Sequence, residues 1–166
     1  LFMTYYNPVL SFGVDRFCHE AAASGVDGLI VVDMPPEEGD DVDKAALKEA
    51  LAPVYLLAPN STAERIKLVA QKSRGFIYLV SVTGVTGARN QLPSYLEEFV
   101  SGVREETKLP LCVGFGMSSP STAWRAARVA DGVIVGSRLV QLLGGNEWEE
   151  LEDLVKELRR TLDSPD

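Results

Sequence analysis

Histidine and cysteine are nearly missing from this sequence, and with them the means to hold a metal or a disulfide framework. Its 166 residues carry one histidine, His19, and two cysteines, Cys18 and Cys112. His19 has no cysteine or carboxylate at ligand spacing, so it reads as a surface helix residue and no metal site is expected. Cys18 falls on an expected helix and Cys112 on an expected strand, both in apolar surroundings. They read as two buried thiols of a cytoplasmic protein, not as a bridge. Positive charge is scarce too. Lys and Arg number 16 against 24 Asp and Glu, a formal charge of −8. Nucleic acid and anionic membrane are therefore poor partners, since both require a basic surface. No apolar run approaches the roughly 18 residues of a membrane span. An anionic small molecule stays open as a ligand, provided backbone N–H groups hold it and not bulk charge.

What the sequence does have is alternation. Hydrophobic residues make up 46%, ordinary for a globular domain, and they fall in short runs separated by amphipathic stretches. Leu1 to Tyr6 reads as a first strand, ended by Asn7-Pro8 because a residue before proline disfavours helix. A helix is expected over Gly13–Ala23, with Val14, Phe17, Cys18 and Ala21 on one stripe and Gly25 closing it. A second strand, Gly28–Val32, leads into the stiff turn Asp33-Met34-Pro35-Pro36-Glu37-Glu38. A helix over about Val42–Leu51 and a third strand over Val54–Leu57 follow. Asn60-Ser61 starts the next helix, with Ser61 and Glu64 at capping-box spacing. Phe76–Ser81 is the fourth strand, and a helix over Pro93–Val103 comes after a long polar segment. The last helix, about Asn146–Leu162, is expected to turn Trp148, Leu151, Leu154, Val155 and Leu158 inward.

The most informative stretch is Pro110–Ser137. Pro110-Leu111-Cys112-Val113 is an apolar run ending at Gly114-Phe115-Gly116. Ser119-Pro120 then opens a helix, with serine as cap and proline at the first helical position. Gly132-Val133-Ile134-Val135 ends at Gly136-Ser137 and passes directly into another helix. Two successive strand ends thus place glycine where a helix starts, which suits a phosphate held by free N–H groups.

Strict strand–helix alternation implies a parallel sheet and an α/β class. A (β/α)8 TIM barrel builds its phosphate site from the loops after its last two strands. Counting back from those loops gives six strand–helix units in one domain over residues 1–166. Six eighths of the roughly 250 residues of a whole barrel is roughly 190. A sequence starting inside a strand therefore reads as the remainder of a longer chain: an incomplete barrel whose first and last strands, Leu1–Tyr6 and Gly132–Val135, are open edges. Such edges favour aggregation, so the segment alone is expected to be less soluble than a longer parent.

Candidate chemical groups lie at strand ends. By alternation one of Tyr5 and Tyr6 faces the interior, with a core aromatic as the plain alternative. Asp33 reads more readily as a turn residue bonding the backbone ahead of Pro35 than as a catalyst. Tyr78 shares a face with Phe76 and Val80; if that face is internal, its hydroxyl needs a polar partner. The segment from Val82 to Gln91 is long for a β/α loop and reads as a lid. Gly84 and Gly87 give it freedom, Thr86 a hydroxyl and Arg89 a charge.

Taken as a set, several motifs resemble the tryptophan synthase α-subunit family. They are Met3-Thr4-Tyr5-Tyr6-Asn7-Pro8, Gly25-Val26-Asp27-Gly28-Leu29-Ile30-Val31-Val32-Asp33, Phe76-Ile77-Tyr78-Leu79-Val80-Ser81, Gly84-Val85-Thr86-Gly87, Gly114-Phe115-Gly116 and Val135-Gly136-Ser137. The resemblance implies a lyase of tryptophan biosynthesis that cleaves indole-3-glycerol phosphate to indole and glyceraldehyde 3-phosphate. It implies no cofactor in this chain, and a β subunit, in an α2β2 complex, whose pyridoxal phosphate joins indole to serine. By the same resemblance Gly87, Phe115, Gly116, Gly136 and Ser137 surround the phosphate. Tyr5, Ile30 and Tyr78 line the indole and glycerol pocket, and Thr86 belongs to the closing loop. Asn7-Pro8, Asp33 and its turn lie toward the β subunit. The family's acid/base glutamate and its partner aspartate belong ahead of Leu1, so no catalytic residue is assigned here. The alternatives are a non-catalytic phosphate-binding subunit that activates a β partner, and another phosphate-binding barrel of tryptophan or histidine biosynthesis. The latter fits Gly84–Gly87 and Tyr-Tyr-Asn-Pro less well.

Overall fold

The computed structural model describes residues 1–81, 95–114 and 119–164. The chain divides into two compact units: Leu1–Leu57, Ser61–Tyr78 and Glu106–Leu109 form one, and Ala58–Asn60, Leu79–Glu105 and Pro110–Asp166 the other.

In the first unit β1 (Phe2–Thr4), β2 (Gly28–Val31) and β3 (Ala52–Pro53) lie side by side in that order. Both pairings are parallel, with Met3 opposite Ile30 and Gly28 opposite Ala52. All four residues of β2 are buried, as expected for a strand covered on both faces. Gly28 is dictated by space, because a Cβ there would lie 2.6 Å from the Ala52 carbonyl oxygen. Helices α2 (Val14–Ala23) and α3 (Asp40–Lys48) close one core. Cys18, Ala21, Leu29, Ala45, Ala46 and Leu51 are buried together in it. A buried leucine there is worth about 2 kcal/mol over an exposed one. Then come β4 (Leu56–Leu57), α4 (Ala63–Lys72) and the start of β5 (Ile77–Val80), with the Tyr78 N–H donating to the Tyr55 carbonyl at 3.1 Å.

The second unit holds the end of β5, then β6 (Leu111–Gly114) and β7 (Gly132–Val133), in that lateral order. Cys112 pairs with Gly132 in parallel register. Its helices are α5 (Tyr95–Glu106), α6 (Pro120–Ala127), α7 (Ser137–Gly144) and α8 (Trp148–Asp163). The Ser81 N–H and hydroxyl both donate to the Gly114 carbonyl, at 3.1 and 2.9 Å.

Several sequence expectations hold. Ser119 caps α6 with Pro120 at its start, and Thr122 completes a capping box. Gly25 ends α2 with φ of +83°, a conformation costly for any residue with a Cβ. His19 is exposed and its Nδ1 lies 3.3 Å from Glu49 Oε2. Cys18 is buried and free, whereas Cys112, also free, is only half-buried, against expectation.

Other differences have local causes. Asn7-Pro8 does not leave an open turn: a further helix, α1 (Tyr6–Phe12), starts there. Pro8 sits in its first turn, where a missing N–H removes no helical bond. The first strand accordingly ends at Thr4, short of Tyr5 and Tyr6. The third strand is two short pieces, β3 and β4, because the chain changes partner between them. The Val54 N–H donates to Leu29 on one side, and the Tyr55 carbonyl accepts from Tyr78 on the other. Thr62, not Ser61, caps α4, accepting from the Arg65 N–H at 3.3 Å. Along α8, Leu158 is buried but Trp148 is 61% and Val155 45% exposed, so its apolar stripe is wider than the face it packs.

Asp131 ties the start of β6 to α5. Its carboxylate accepts from the Leu111 N–H at 2.7 Å and from Arg104 at 2.5 Å. Desolvation pushes its pKa up, but the Leu111 N–H and the Arg104 guanidinium outweigh it and the net shift is downward. The folded pKa lies below the unfolded value of about 3.9. The contribution is therefore complete above that value and lost as pH falls through the folded pKa. Asp131→Asn is expected to cost about 1 kcal/mol at pH 7. Urea melts of both proteins should show this gap closing below about pH 4.

Candidate functional site

Backbone geometry at the strand ends decides which sequence candidates are near solvent. Tyr5, the residue before α1, is 64% exposed, and Tyr6 is half-buried, so neither is a core aromatic. Ile30 and Tyr78 are buried, in β2 and β5. Asp33 does bond backbone, but not in its own turn. Its Oδ1 accepts the Tyr6 N–H at 2.7 Å, 27 residues upstream. The carboxylate thereby satisfies one open N–H of α1 and sits at the positive end of that helix. It joins the end of β1 to the end of β2.

Beside it the turn closes an open hollow of about 250 Å³, lined by Val32, Asp33, Met34, Pro35, Pro36, Tyr55, Leu56 and Arg65. Arg65 reaches Glu37 across 3.2 Å. Behind the turn lies a polar network that sequence reading missed. Lys72 Nζ lies 2.5 Å from the Pro36 carbonyl, 2.6 Å from Asp40 Oδ1 and 3.2 Å from Asp43 Oδ2. The other oxygen of Asp43 accepts from the Tyr55 hydroxyl at 2.8 Å. Desolvation lowers the Lys72 pKa, but its hydrogen bonds to Asp40 and Asp43 raise it further, so it is held above its ordinary value. Burial, then the bond to Asp43, drives the Tyr55 phenol far upward, and it remains a donor at any working pH. Gly39, immediately before α3, marks the crowding here: a Cβ there would overlap the Tyr55 hydroxyl oxygen.

In the second unit Gly136 and Ser137 open α7, and both are exposed. Among the described residues no side chain caps this helix, and none has an atom within 4 Å of where a Gly136 Cβ would stand. Arg138 points to Gln141 and Glu150. Gly87, Thr86, Phe115 and Gly116 lie outside the described residues, as do Gly84 and Arg89. Among the described residues there is no cluster of three metal-ligating side chains, and no helix is long and apolar enough to cross a membrane.

Comparison with known proteins gives this geometry its context. The tryptophan synthase alpha chain of Dehalococcoides mccartyi is 50% identical over 164 residues, 98% of this chain and 64% of its own length. That of Aquifex aeolicus is 45% identical over 163 residues, 98% of this chain and 62% of its own. Among solved structures, tryptophan synthase of Mycobacterium tuberculosis superposes with a TM-score of 0.90 at 40% identity, covering 98% of this chain and 62% of the other. A structure of the tryptophan synthase a2b2 complex of Pyrococcus furiosus superposes at 0.84 and 39% identity, covering 94% and 64%. The chain thus spans a little under two thirds of the length of these relatives, and its fold is α/β, of the TIM-barrel type that they share. Residues 1–164 match one family over nearly the whole sequence, and the chain belongs to it: the tryptophan synthase alpha chain family.

Proposed function

We propose that this chain carries the phosphate-binding and partner-facing part of an enzyme that cleaves indole-3-glycerol phosphate to indole and glyceraldehyde 3-phosphate in tryptophan biosynthesis. The observation that carries the reading is the start of α7: an exposed Gly136-Ser137 at which no side chain caps the helix among the described residues. Such a terminus favours an anion by charge and by hydrogen bonding. Gly87, Phe115 and Gly116 complete the phosphate site in this proposal, and Thr86 its closing loop. Tyr5, Ile30 and Tyr78 line the pocket for the indole and glycerol parts. Indole passes to a β subunit whose pyridoxal phosphate joins it to serine, and this chain needs no cofactor of its own. The β subunit meets α1 from Asn7-Pro8 onward and the turn after Asp33, in the cytoplasm.

The reaction breaks a carbon–carbon bond. Indole C3 must gain a proton while the glycerol hydroxyl loses one. In this proposal residues 1–166 supply neither of the carboxylates for those transfers. What this chain's residues do is bind and orient.

Glycerol 3-phosphate is the probe. Titrated into the chain by calorimetry, it should bind, and Gly136→Val should weaken it at least tenfold. The melting temperature should barely change, because no described residue lies within 4 Å of the added Cβ. Equal affinity in both proteins would remove Gly136 from the site.

A further inference from the structure

We propose that Lys72 is a positioning residue for the partner-facing turn: by holding the Pro36 carbonyl against α3, it fixes the shape of Asp33–Glu38 that a β subunit reads. This rests on the partner reading above. The turn has a pin at each end. At its start the Asp33 carboxylate accepts the Tyr6 N–H at 2.7 Å. At its far side Lys72 Nζ holds the Pro36 carbonyl at 2.5 Å. The Glu38 N–H donates to Pro35 at 3.0 Å between them. An ammonium has three protons, and here each has an acceptor: Pro36, Asp40 and Asp43. Asp43 is 8% exposed and fixed in turn by the Tyr55 hydroxyl, so the ammonium cannot swing away without leaving a buried carboxylate short of a donor.

The arrangement separates two roles. Tyr55 supports Asp43 and touches neither Pro36 nor the turn's exposed carboxylates by a hydrogen bond. Lys72 alone among these side chains bonds the turn's backbone. Removing the phenol hydroxyl should loosen the network but leave the turn pinned. Removing the ammonium should release the turn.

The test titrates the chain with the β chain of the Pyrococcus furiosus complex, comparing wild type, Lys72→Met, Lys72→Arg and Tyr55→Phe. Lys72→Met should bind at least tenfold more weakly, and exchange of the Glu38 amide in the free chain should quicken at least tenfold. Tyr55→Phe should melt at lower temperature yet bind like wild type with wild-type exchange at Glu38. Lys72→Arg, which can still reach a carbonyl, should recover most of the affinity. If Lys72→Met binds like wild type, the positioning role is wrong although the partner reading stands. If Tyr55→Phe loses as much affinity as Lys72→Met, the network acts only through stability and the proposal fails. If wild type itself does not bind, the partner reading fails and takes this one with it.

Discussion

Gly39→Ala should destabilise the first unit by about 3 kcal/mol, and combining it with Tyr55→Phe should add no further loss. The cause is space, not backbone conformation, since φ at Gly39 is −82°. A Cβ there would overlap the Tyr55 hydroxyl oxygen and lie 3.1 Å from its ring carbon and from Met34 Cε. The methionine tip can give way. The phenol cannot move freely, because it donates to Asp43 at 2.8 Å and Tyr55 is only 3% exposed. Tyr55→Phe alone should cost about 1.5 kcal/mol through the donor that Asp43 loses. In the double variant the overlapping oxygen is gone and only a tight ring contact remains. The loss in the double variant should therefore fall short of the sum of the two single losses by about 2 kcal/mol, as expected for residues in contact. Urea denaturation of the four proteins measures this directly. Additive losses would mean that the hydroxyl is not what Gly39 accommodates.

The chain by itself should release no indole from indole-3-glycerol phosphate above the uncatalysed rate, even where it binds glycerol 3-phosphate. A positioned acid or base typically supplies 10²- to 10⁴-fold each. The proposed reaction needs both, and in the proposed reading residues 1–166 supply neither. Binding groups alone lower the energy of substrate and transition state alike, which does not speed the chemical step. A colorimetric assay for indole over hours is sufficient. Release that depends on this chain, and that Gly136→Val abolishes, would show that residues 1–166 hold a proton-transfer group after all.

How far the sequence could be read depended on how far apart the interacting residues lie. Ser119-Pro120 was legible because a helix cap is a contract among a few neighbours, whereas Thr122's part in it shows only in the structure. The α/β alternation was legible because burial imposes its period on each strand and helix separately. The helix α1 was missed because Asn7-Pro8 breaks a helix interior but not a first turn. Asp33 was read as bonding its own turn, and its partner turned out to be Tyr6. The inward face of α8 was drawn too wide at Trp148 and Val155, since an apolar stripe records what can be buried, not what is.

The order of elements, their parallel class, the caps of α6 and the glycine opening of α7 are written in short windows of sequence, where each residue's neighbours are its chemistry. Which carboxylate meets Lys72, why Gly39 must be glycine, and where Asp33 points were decided only when α3, α4 and the strand ends came together. Those contacts join positions 36, 40, 43, 55 and 72, and no local periodicity links them. Folding sets such distances through packing, and a buried charge then takes whichever partners packing has placed within reach.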